Sequence, residues 1–215
     1  IDFDHVVAEL NKSLGKFRDS NFKREMDASF TINHGENRIK RETNQVHLCF
    51  NTRGNSQIED MKYPGAIISS VLAGNMSSRL FQKIREERGL AYSVYSYGTA
   101  FIEGGLFTIY AGTTKESYQE VIDIIKDEFE DIKKNGITPY ELQKSKNQFL
   151  SMLTFLENSK GKMTRMASTY MLYGRVTEID EIISKIENIT LEDIKKTAEY
   201  LFQEEFYSCT ILGDI

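Results

Sequence analysis

The chain has 215 residues, a formal net charge of −5 at pH 7 and 40% hydrophobic residues, so it is long enough and apolar enough to bury a core. Its basic residues are scattered rather than concentrated in one patch, which argues against a nucleic-acid surface. The longest apolar run, residues 66–73, is far too short to cross a bilayer, so we expect neither a nucleic-acid nor a membrane partner.

The N-terminal part of the chain predicts a helix followed by a linker. Residues 4–14 carry an apolar stripe at helical spacing, and Gly15 ends it. Residues 16–28 are polar and irregular, as is typical of a connector. We therefore assign residues 1–28 to a closing helix and linker, and residues 29–215 to the main domain.

The elements after the helix at 4–14 alternate between strands and groups of helices. In chain order they are strands at 29–33 and 45–51, helices at 63–72 and 78–88, strands at 90–101 and 105–112, helices at 115–134, 138–157, 160–173, 178–187 and 191–202, and a strand at 206–212. A turn is expected at Gly35 and Asn37, followed by a polar strand or loop at 38–42, and the short glycine-containing link at 102–105 marks an antiparallel hairpin. This order predicts an α+β fold with a mostly antiparallel sheet covered by helices.

The segment that follows Asn75 is the most informative stretch of the chain. It reads as a helix capped by Ser77 or Ser78, a stop at Gly89 and an aromatic-rich strand. This geometry can aim Arg85 and Tyr92 at one spot, where a cation and a phenol suit a peptide carbonyl or a developing oxyanion. Helix-to-strand corners are also common as plain architecture, so both interpretations stay open at this point.

The residues before the predicted helix and the face occupied by Tyr92 also bear on this site. Gly74 and Asn75 precede the helix, and backbone amides there can bind an anion or a carbonyl, although an inter-helix turn is the simpler interpretation. We retain Gly74, Asn75 and Ser77 as candidate substrate-binding residues. Regular alternation along the strand places Tyr92 on the same face as Val94.

The residues that usually carry metal or nucleophilic chemistry are sparse. His5, His34 and His47 are isolated, and none has a second histidine and a carboxylate at zinc-ligand spacing. The sequence also lacks a phosphate loop, a dinucleotide fingerprint and a nucleophile elbow. The isolated histidines lead us to expect no metal in this chain. Cys49 and Cys209 lie in apolar strand-like segments and are interpreted as buried free thiols in a reducing compartment, so we expect a cytoplasmic protein.

A long motif gives these observations a family context. Residues 75–94, of pattern NMSSRLFQxxRxxRGLAYSV, closely resemble the C-terminal half of the pitrilysin/insulinase-type zinc peptidases. The nearest branch resembles the bacterial processing peptidases, relatives of the mitochondrial processing peptidase. The resemblance extends over the whole chain: residues 1–5 resemble the start of the helix that closes the N-terminal half, and residues 206–214 resemble the last strand of the C-terminal half.

The resemblance implies a protein of two similar α+β halves, about twice this length. The N-terminal half of such proteins carries an H-x-x-E-H zinc motif, and the C-terminal half supplies an arginine and a tyrosine seven residues apart, here Arg85 and Tyr92. This chain keeps the pair and has none of the zinc motif. The family's glycine stretch before the helix appears only in part, as Ala73-Gly74-Asn75.

The functional prediction follows from this resemblance. We expect the substrate-binding half of a zinc metalloendopeptidase that cleaves peptides or unfolded segments, inactive alone because the zinc lies in the missing N-terminal half. Its expected partners are a peptide substrate, the N-terminal half of the same protein and a second copy in a homodimer. The alternatives are a non-catalytic peptide-binding or assembly subunit of a processing-peptidase-like complex, and a purely structural core subunit.

Overall fold

The computed structural model describes residues 2–17, 31–155 and 159–215. In chain order the elements are α1 (Phe3–Leu14), β1 (Gly35–Lys40), β2 (Val46–Gly54), α2 (Lys62–Ala73), a π-helix (Phe81–Glu86), β3 (Ala91–Ala100), β4 (Gly105–Thr113), α3 (Tyr118–Asn135), α4 (Pro139–Phe155), α5 (Ser159–Tyr173), α6 (Ile179–Glu187), α7 (Leu191–Leu201), a 3-10 helix (Glu204–Phe206) and β5 (Ser208–Gly213). Most predicted elements are present within a few residues of their expected ends.

The five strands found in the described ranges form one sheet in the order β1-β5-β2-β4-β3. Only the β1–β5 pair is parallel; β2 pairs antiparallel with β5 and β4, and β3 with β4. The expected α+β fold with a mostly antiparallel sheet is therefore confirmed, and so is the β3–β4 hairpin. This order places β3 at an edge of the sheet.

The core lies between one face of the sheet and the helices. Along β2, Val46, Leu48 and Phe50 are buried, whereas the residues between them are only half-buried. Helices α2, α3 and α7 pack on this side, and α4 packs on α2. At the centre, the rings of Phe129 and Phe202 stack with centroids 3.9 Å apart. Burying each such side chain stabilises the fold by roughly 1.5–3 kcal/mol.

The first strand differs from the sequence prediction. Residues 31–33 of the strand expected at 29–33 form no strand, and residues 29 and 30 lie outside the described residues. The turn expected at Gly35 and Asn37 is wrong, because both residues belong to β1, which pairs in parallel with β5. All six residues of β1 are exposed, so the strand lacks the apolar alternation by which sequence analysis recognises strands.

The domain boundary expected after residue 28 stays a prediction, because it lies outside the described residues. Helix α1 is capped by the Asp2 side chain and buries none of its residues. Residues 18–30, which contain most of the predicted linker, lie outside the described residues. Within the described ranges, no helix combines the length and apolar character that crossing a membrane requires.

The corner between the π-helix and β3 is closed by backbone geometry. The Glu87 N–H donates to the Gln82 carbonyl five residues back, at 2.9 Å, which is the π-helical pattern. Gly89 adopts a left-handed φ of 62°, and the following N–H of Leu90 donates to the Ile84 carbonyl at 2.8 Å. The predicted glycine stop is therefore present, and it turns the chain directly into β3.

The predicted serine cap of this helix is wrong. No side chain caps the π-helix, and the Ser78 hydroxyl donates to the Asn75 carbonyl instead. The Asn75 side chain takes the local capping role by accepting the Ser77 N–H at 3.0 Å. Asparagine competes well for such short-range bonds, because its carbonyl reaches the backbone two residues on.

We predict that Gly89→Ala lowers the free energy of unfolding by about 1 kcal/mol, because an L-residue is strained at this φ. A Cβ at Gly89 would meet nothing within 4 Å, so the cost comes from the backbone alone. Gly98→Ala is the matched control, since Gly98 in β3 has no positive φ and a Cβ there would meet only the Leu106 carbonyl at 3.9 Å. Urea unfolding measures both variants; equal losses would contradict the assignment of strain to Gly89.

Candidate functional site

The structure brings Arg85 and Tyr92 together at the edge of the sheet. The Arg85 guanidinium carbon lies 4.7 Å from the Tyr92 ring centroid and 4.9 Å from that of Phe81, so the cation contacts two aromatic rings. Its ion-pair contact is a loose one, with Glu86 Oε1 at 3.8 Å from Nε, beyond hydrogen-bonding distance. Cation–π contacts of this kind fix a guanidinium while its N–H groups stay available to another acceptor.

Tyr92 owes its exposure to a β-bulge. Ala91 pairs with Thr113 and Ser93 with Gly112, so Tyr92 is an extra residue with no partner on β4. Its side chain is 70% exposed, whereas Ala91 and Val94 are buried. The expectation that Tyr92 shares a face with Val94 is therefore wrong, because the bulge interrupts the alternation. The bulge turns the phenol towards the guanidinium and the solvent.

An ion-pair cluster anchors the helical turn that leads to Arg85. Arg79 donates from Nε and Nη2 to both carboxylate oxygens of Glu141, at 2.6 and 2.8 Å, and from Nη1 to Asp131 at 2.7 Å. The almost fully buried Glu128 lies 3.6 Å from the same guanidinium and also pairs with Lys83. The cluster therefore ties this turn to α3 and to α4.

The electrostatics of the cluster follow from these bonds. Burial acts to raise the pKa of Glu141, but the hydrogen bonds from Arg79 and Thr138 and the Arg79 charge outweigh it and lower the pKa to about 2. The hydrogen bond to Glu141 raises the pKa of Arg79 against the effect of burial. Thr138 and Glu141 also form the capping box of α4.

Gly74, Asn75 and Ser77 lie at the other end of this helical segment. Gly74 has a helical φ of −85° and ends α2, with its N–H donating to the Ser70 carbonyl. The Ser77 hydroxyl donates to Asn75 Oδ1 at 2.7 Å and accepts from Lys144. The polar side chains of Asn75 and Ser77 are thus engaged in the turn itself, and the structure does not bring them to the Arg85–Tyr92 pair.

The histidines and cysteines do not form a metal centre. His47 Nδ1 lies 2.7 Å from the Tyr110 hydroxyl, whose ring stacks on that of Tyr95 at 4.7 Å. Within the described ranges, no group of three or more histidine, cysteine or carboxylate residues could hold a metal ion. Both cysteines are free, and burial raises the pKa of the Cys209 thiol to about 12.

Sequence analysis missed two residues that shape the site. Phe81 stacks on Arg85, and its position four residues earlier on a helix was a usable signal. Arg79 lies among mixed charges that are typical of an exposed helix face, although its side chain is largely buried. No sequence signal identifies its partners, because Asp131 and Glu141 lie more than fifty residues away along the chain.

Comparisons with known proteins agree with this architecture, an α+β domain with one helix-covered sheet. The family model described as the peptidase M16 inactive domain matches residues 1–149. The chain is 39% identical over 168 residues to the uncharacterized zinc protease YmxG of Bacillus subtilis, covering 78% of this chain and 41% of that protein. It is also 33% identical over 161 residues to an uncharacterized zinc protease of Streptomyces coelicolor, covering 74% of this chain and 35% of that protein.

A solved structure shows the same fold. The crystal structure of a peptidase M16 inactive domain from Pseudomonas fluorescens superposes with a TM-score of 0.88 at 18% identity, covering all of this chain and 52% of that one. The chain therefore belongs to the peptidase M16 family, and the resemblance found in the sequence is confirmed. It spans less than half the length of the two zinc proteases it matches.

We predict that Glu141→Gln lowers the free energy of unfolding at neutral pH by roughly 2 kcal/mol, because it breaks a largely buried charged bond to Arg79. Since the folded pKa of Glu141 is about 2, against an ordinary value of 4.5, this contribution is present above pH 4.5. It is lost as the pH falls towards 2, because the unfolded chain takes up the proton first.

Urea unfolding between neutral pH and pH 2.5 tests this prediction. The variant is expected to lose less stability across the acidic range than the wild type. Glu120→Gln is the matched control, because Glu120 forms an exposed pair with Arg88 at 3.0 Å and is expected to change little. Parallel acid profiles for the wild type and Glu141→Gln would contradict the assignment.

Proposed function

We propose that this domain is the substrate-clamping half of a zinc endopeptidase that acts on peptides or unfolded segments. The observation that carries the proposal is the contact of the Arg85 guanidinium with the exposed Tyr92 ring at a bulged edge strand. Membership of the peptidase M16 family supports it, as do relatives that are named zinc proteases.

In this proposal Arg85 binds the substrate backbone. Its guanidinium is planar and always charged, and the rings of Phe81 and Tyr92 limit its orientation. Charge-assisted hydrogen bonds from its N–H groups to a peptide carbonyl hold the scissile segment in place. A lysine at this position would keep the charge but lose the planar fork and the stacking.

Tyr92 acts on the transition state. Its hydroxyl donates a hydrogen bond to the oxyanion of the tetrahedral intermediate, a charge that develops only during the reaction. The bulge presents the phenol away from the core, so the hydroxyl is accessible to a substrate lying over the edge of β3. Contact with Arg85 preorganises both groups and adds positive potential beside the developing charge.

The rest of the active site belongs to the N-terminal half in this proposal. That half would hold the zinc, and the chemistry that zinc would supply when bound is polarisation of a carbonyl and activation of a water molecule. Residues 1–28 then form the helix and linker through which the N-terminal half joins this domain. Cytoplasmic location and a homodimer complete the proposal. Gly74, Asn75 and Ser77 remain candidate substrate-binding residues in this proposal, at the other end of the helical segment that carries Arg85.

We predict that, in the intact protein, Arg85→Ala and Tyr92→Phe each lower kcat/KM on a peptide by roughly 100-fold, as removal of an oxyanion donor does elsewhere. Tyr92→Phe keeps the ring that contacts Arg85, so it tests the hydroxyl alone. Arg88→Ala and Tyr95→Phe are the matched controls, since both side chains are at least partly exposed near the pair and neither is assigned to the clamp.

Steady-state peptide hydrolysis measures all four variants. Wild-type kcat/KM in both Arg85→Ala and Tyr92→Phe would contradict the clamp. A wild type that binds the peptide without hydrolysing it, together with weaker binding by the variants, would instead indicate the non-catalytic peptide-binding subunit. A complete lack of peptide affinity in the intact protein would favour the structural core subunit.

We also predict that the isolated 215-residue chain binds no stoichiometric zinc, whereas the intact protein holds one zinc ion per chain. The physical reason is the lack of ligand spacing around its three histidines. Elemental analysis after dialysis measures the metal content of both proteins. One tightly held zinc ion in the isolated chain would contradict the proposal that the N-terminal half alone binds the zinc.

A further inference from the structure

A second feature, distant in sequence from Arg85 and Tyr92, gathers three cations around a pocket. The pocket has a volume of about 240 Å³ and lies between the segment 57–63, α5 and the turn that follows α5. Lys62, Arg165 and Arg175 line it, and so do the hydroxyl-bearing Thr169 and Tyr173. We call it the basic pocket. It shares no lining residue with the Arg85–Tyr92 pair.

Backbone carbonyls hold two of these cations, and a glycine turn positions the third. The Lys62 ammonium donates to the Gln57 carbonyl at 2.6 Å, which holds it at the start of α2. Arg165 extends from α5 and donates from Nη1 to the Thr177 carbonyl at 3.4 Å, which leaves its other N–H groups for another acceptor. Arg175 follows Gly174, whose left-handed φ of 70° turns the chain at the end of α5.

The charge of the basic pocket is not balanced by its surroundings. Among the described residues, no acidic side chain lines it. The acids that act on Lys62 are Asp60 and Glu181, and both pair with Lys185, at 2.6 and 3.2 Å. Within the same ranges, Arg175 has no carboxylate partner. Three positive groups therefore line one pocket, and the two acids that act on Lys62 are already paired with Lys185.

The ammonium of Lys62 responds to this environment. Burial lowers the pKa of Lys62, and the charge of Arg175 lowers it further. Both effects reflect a positive charge held near other positive charges and partly out of water. An anion in the basic pocket would relieve the repulsion between Lys62 and Arg175 and would supply acceptors for their free N–H groups.

We propose that the basic pocket binds an oxyanion, either a carboxylate or a phosphate group. Lys62, Arg165 and Arg175 supply charged hydrogen bonds to its oxygens, and arginine forks match the geometry of carboxylate and phosphate. The volume accommodates a terminal or side-chain carboxylate, or a small phosphate. This site goes beyond the proposed peptide clamp and does not depend on it.

Calorimetric titration of the intact protein with inorganic phosphate, at constant ionic strength, tests the proposal. The wild type is expected to show saturable binding. Arg175→Gln and Arg165→Gln are each expected to weaken it by roughly tenfold, because each removes charged hydrogen bonds. Arg88→Gln is the matched control, since Arg88 is an arginine outside the basic pocket that pairs with Glu120.

Thermal unfolding of each variant without phosphate separates loss of binding from loss of folding. Arg175→Lys keeps the positive charge, so it is expected to retain part of the phosphate affinity. The absence of saturable phosphate binding in the wild type would overturn the proposal. Unchanged phosphate affinity in both Arg165→Gln and Arg175→Gln would also overturn it, because the anion would then bind elsewhere.

Competition experiments identify the source of the oxyanion. Displacement of phosphate by a peptide with a free C-terminal carboxylate, but not by its C-terminal amide, supports a site for peptide ends. Displacement by pyrophosphate and by neither peptide supports a site for free phosphates. Neither experiment involves Arg85 or Tyr92, so the outcome of the Arg85→Ala kinetics bears on the proposed clamp alone.

Discussion

The bidentate bond between Arg79 and Glu141 is the interaction on which the geometry of the corner depends. It joins the turn before the π-helix to α4, while Asp131 and Glu128 join the same guanidinium to α3. Burying a charge is costly unless it is paired. Here Arg79 forms ion pairs with three carboxylates, and Lys83 forms a further pair with one of them, Glu128. A rigid anchor of this kind suits a helix that must hold Arg85 at a fixed angle to the next strand.

The edge position of β3 and its bulge complete the corner. An edge strand with regular alternation would place Tyr92 on the core face, where its hydroxyl would be buried. The extra residue at the bulge exposes the phenol instead, and the stop at Gly89 brings it beside Arg85. Bulges are over-represented next to active sites, where the local bend and the extra residue redirect a side chain.

The domain offers positive charge at two separate places. The Arg85–Tyr92 pair lies at the start of β3, whereas the basic pocket lies beside α5 and α2. The first place has one cation, Arg85, and the second has three, on a chain whose net charge is negative. Local groups of positive charge can attract an anion even on a chain whose net charge is negative.

The sequence by itself determined the fold class, most helices and the hairpin, because periodicity, caps and glycines are local signals. It also singled out Arg85 and Tyr92 through one contiguous motif. Only the tertiary structure decided that β1 pairs in parallel with β5, that Tyr92 lies on a bulge, and that Arg79 is anchored by distant carboxylates. The physical reason is that pairing register, side-chain burial and charge partners arise between segments far apart in the chain, where no short-range pattern records them.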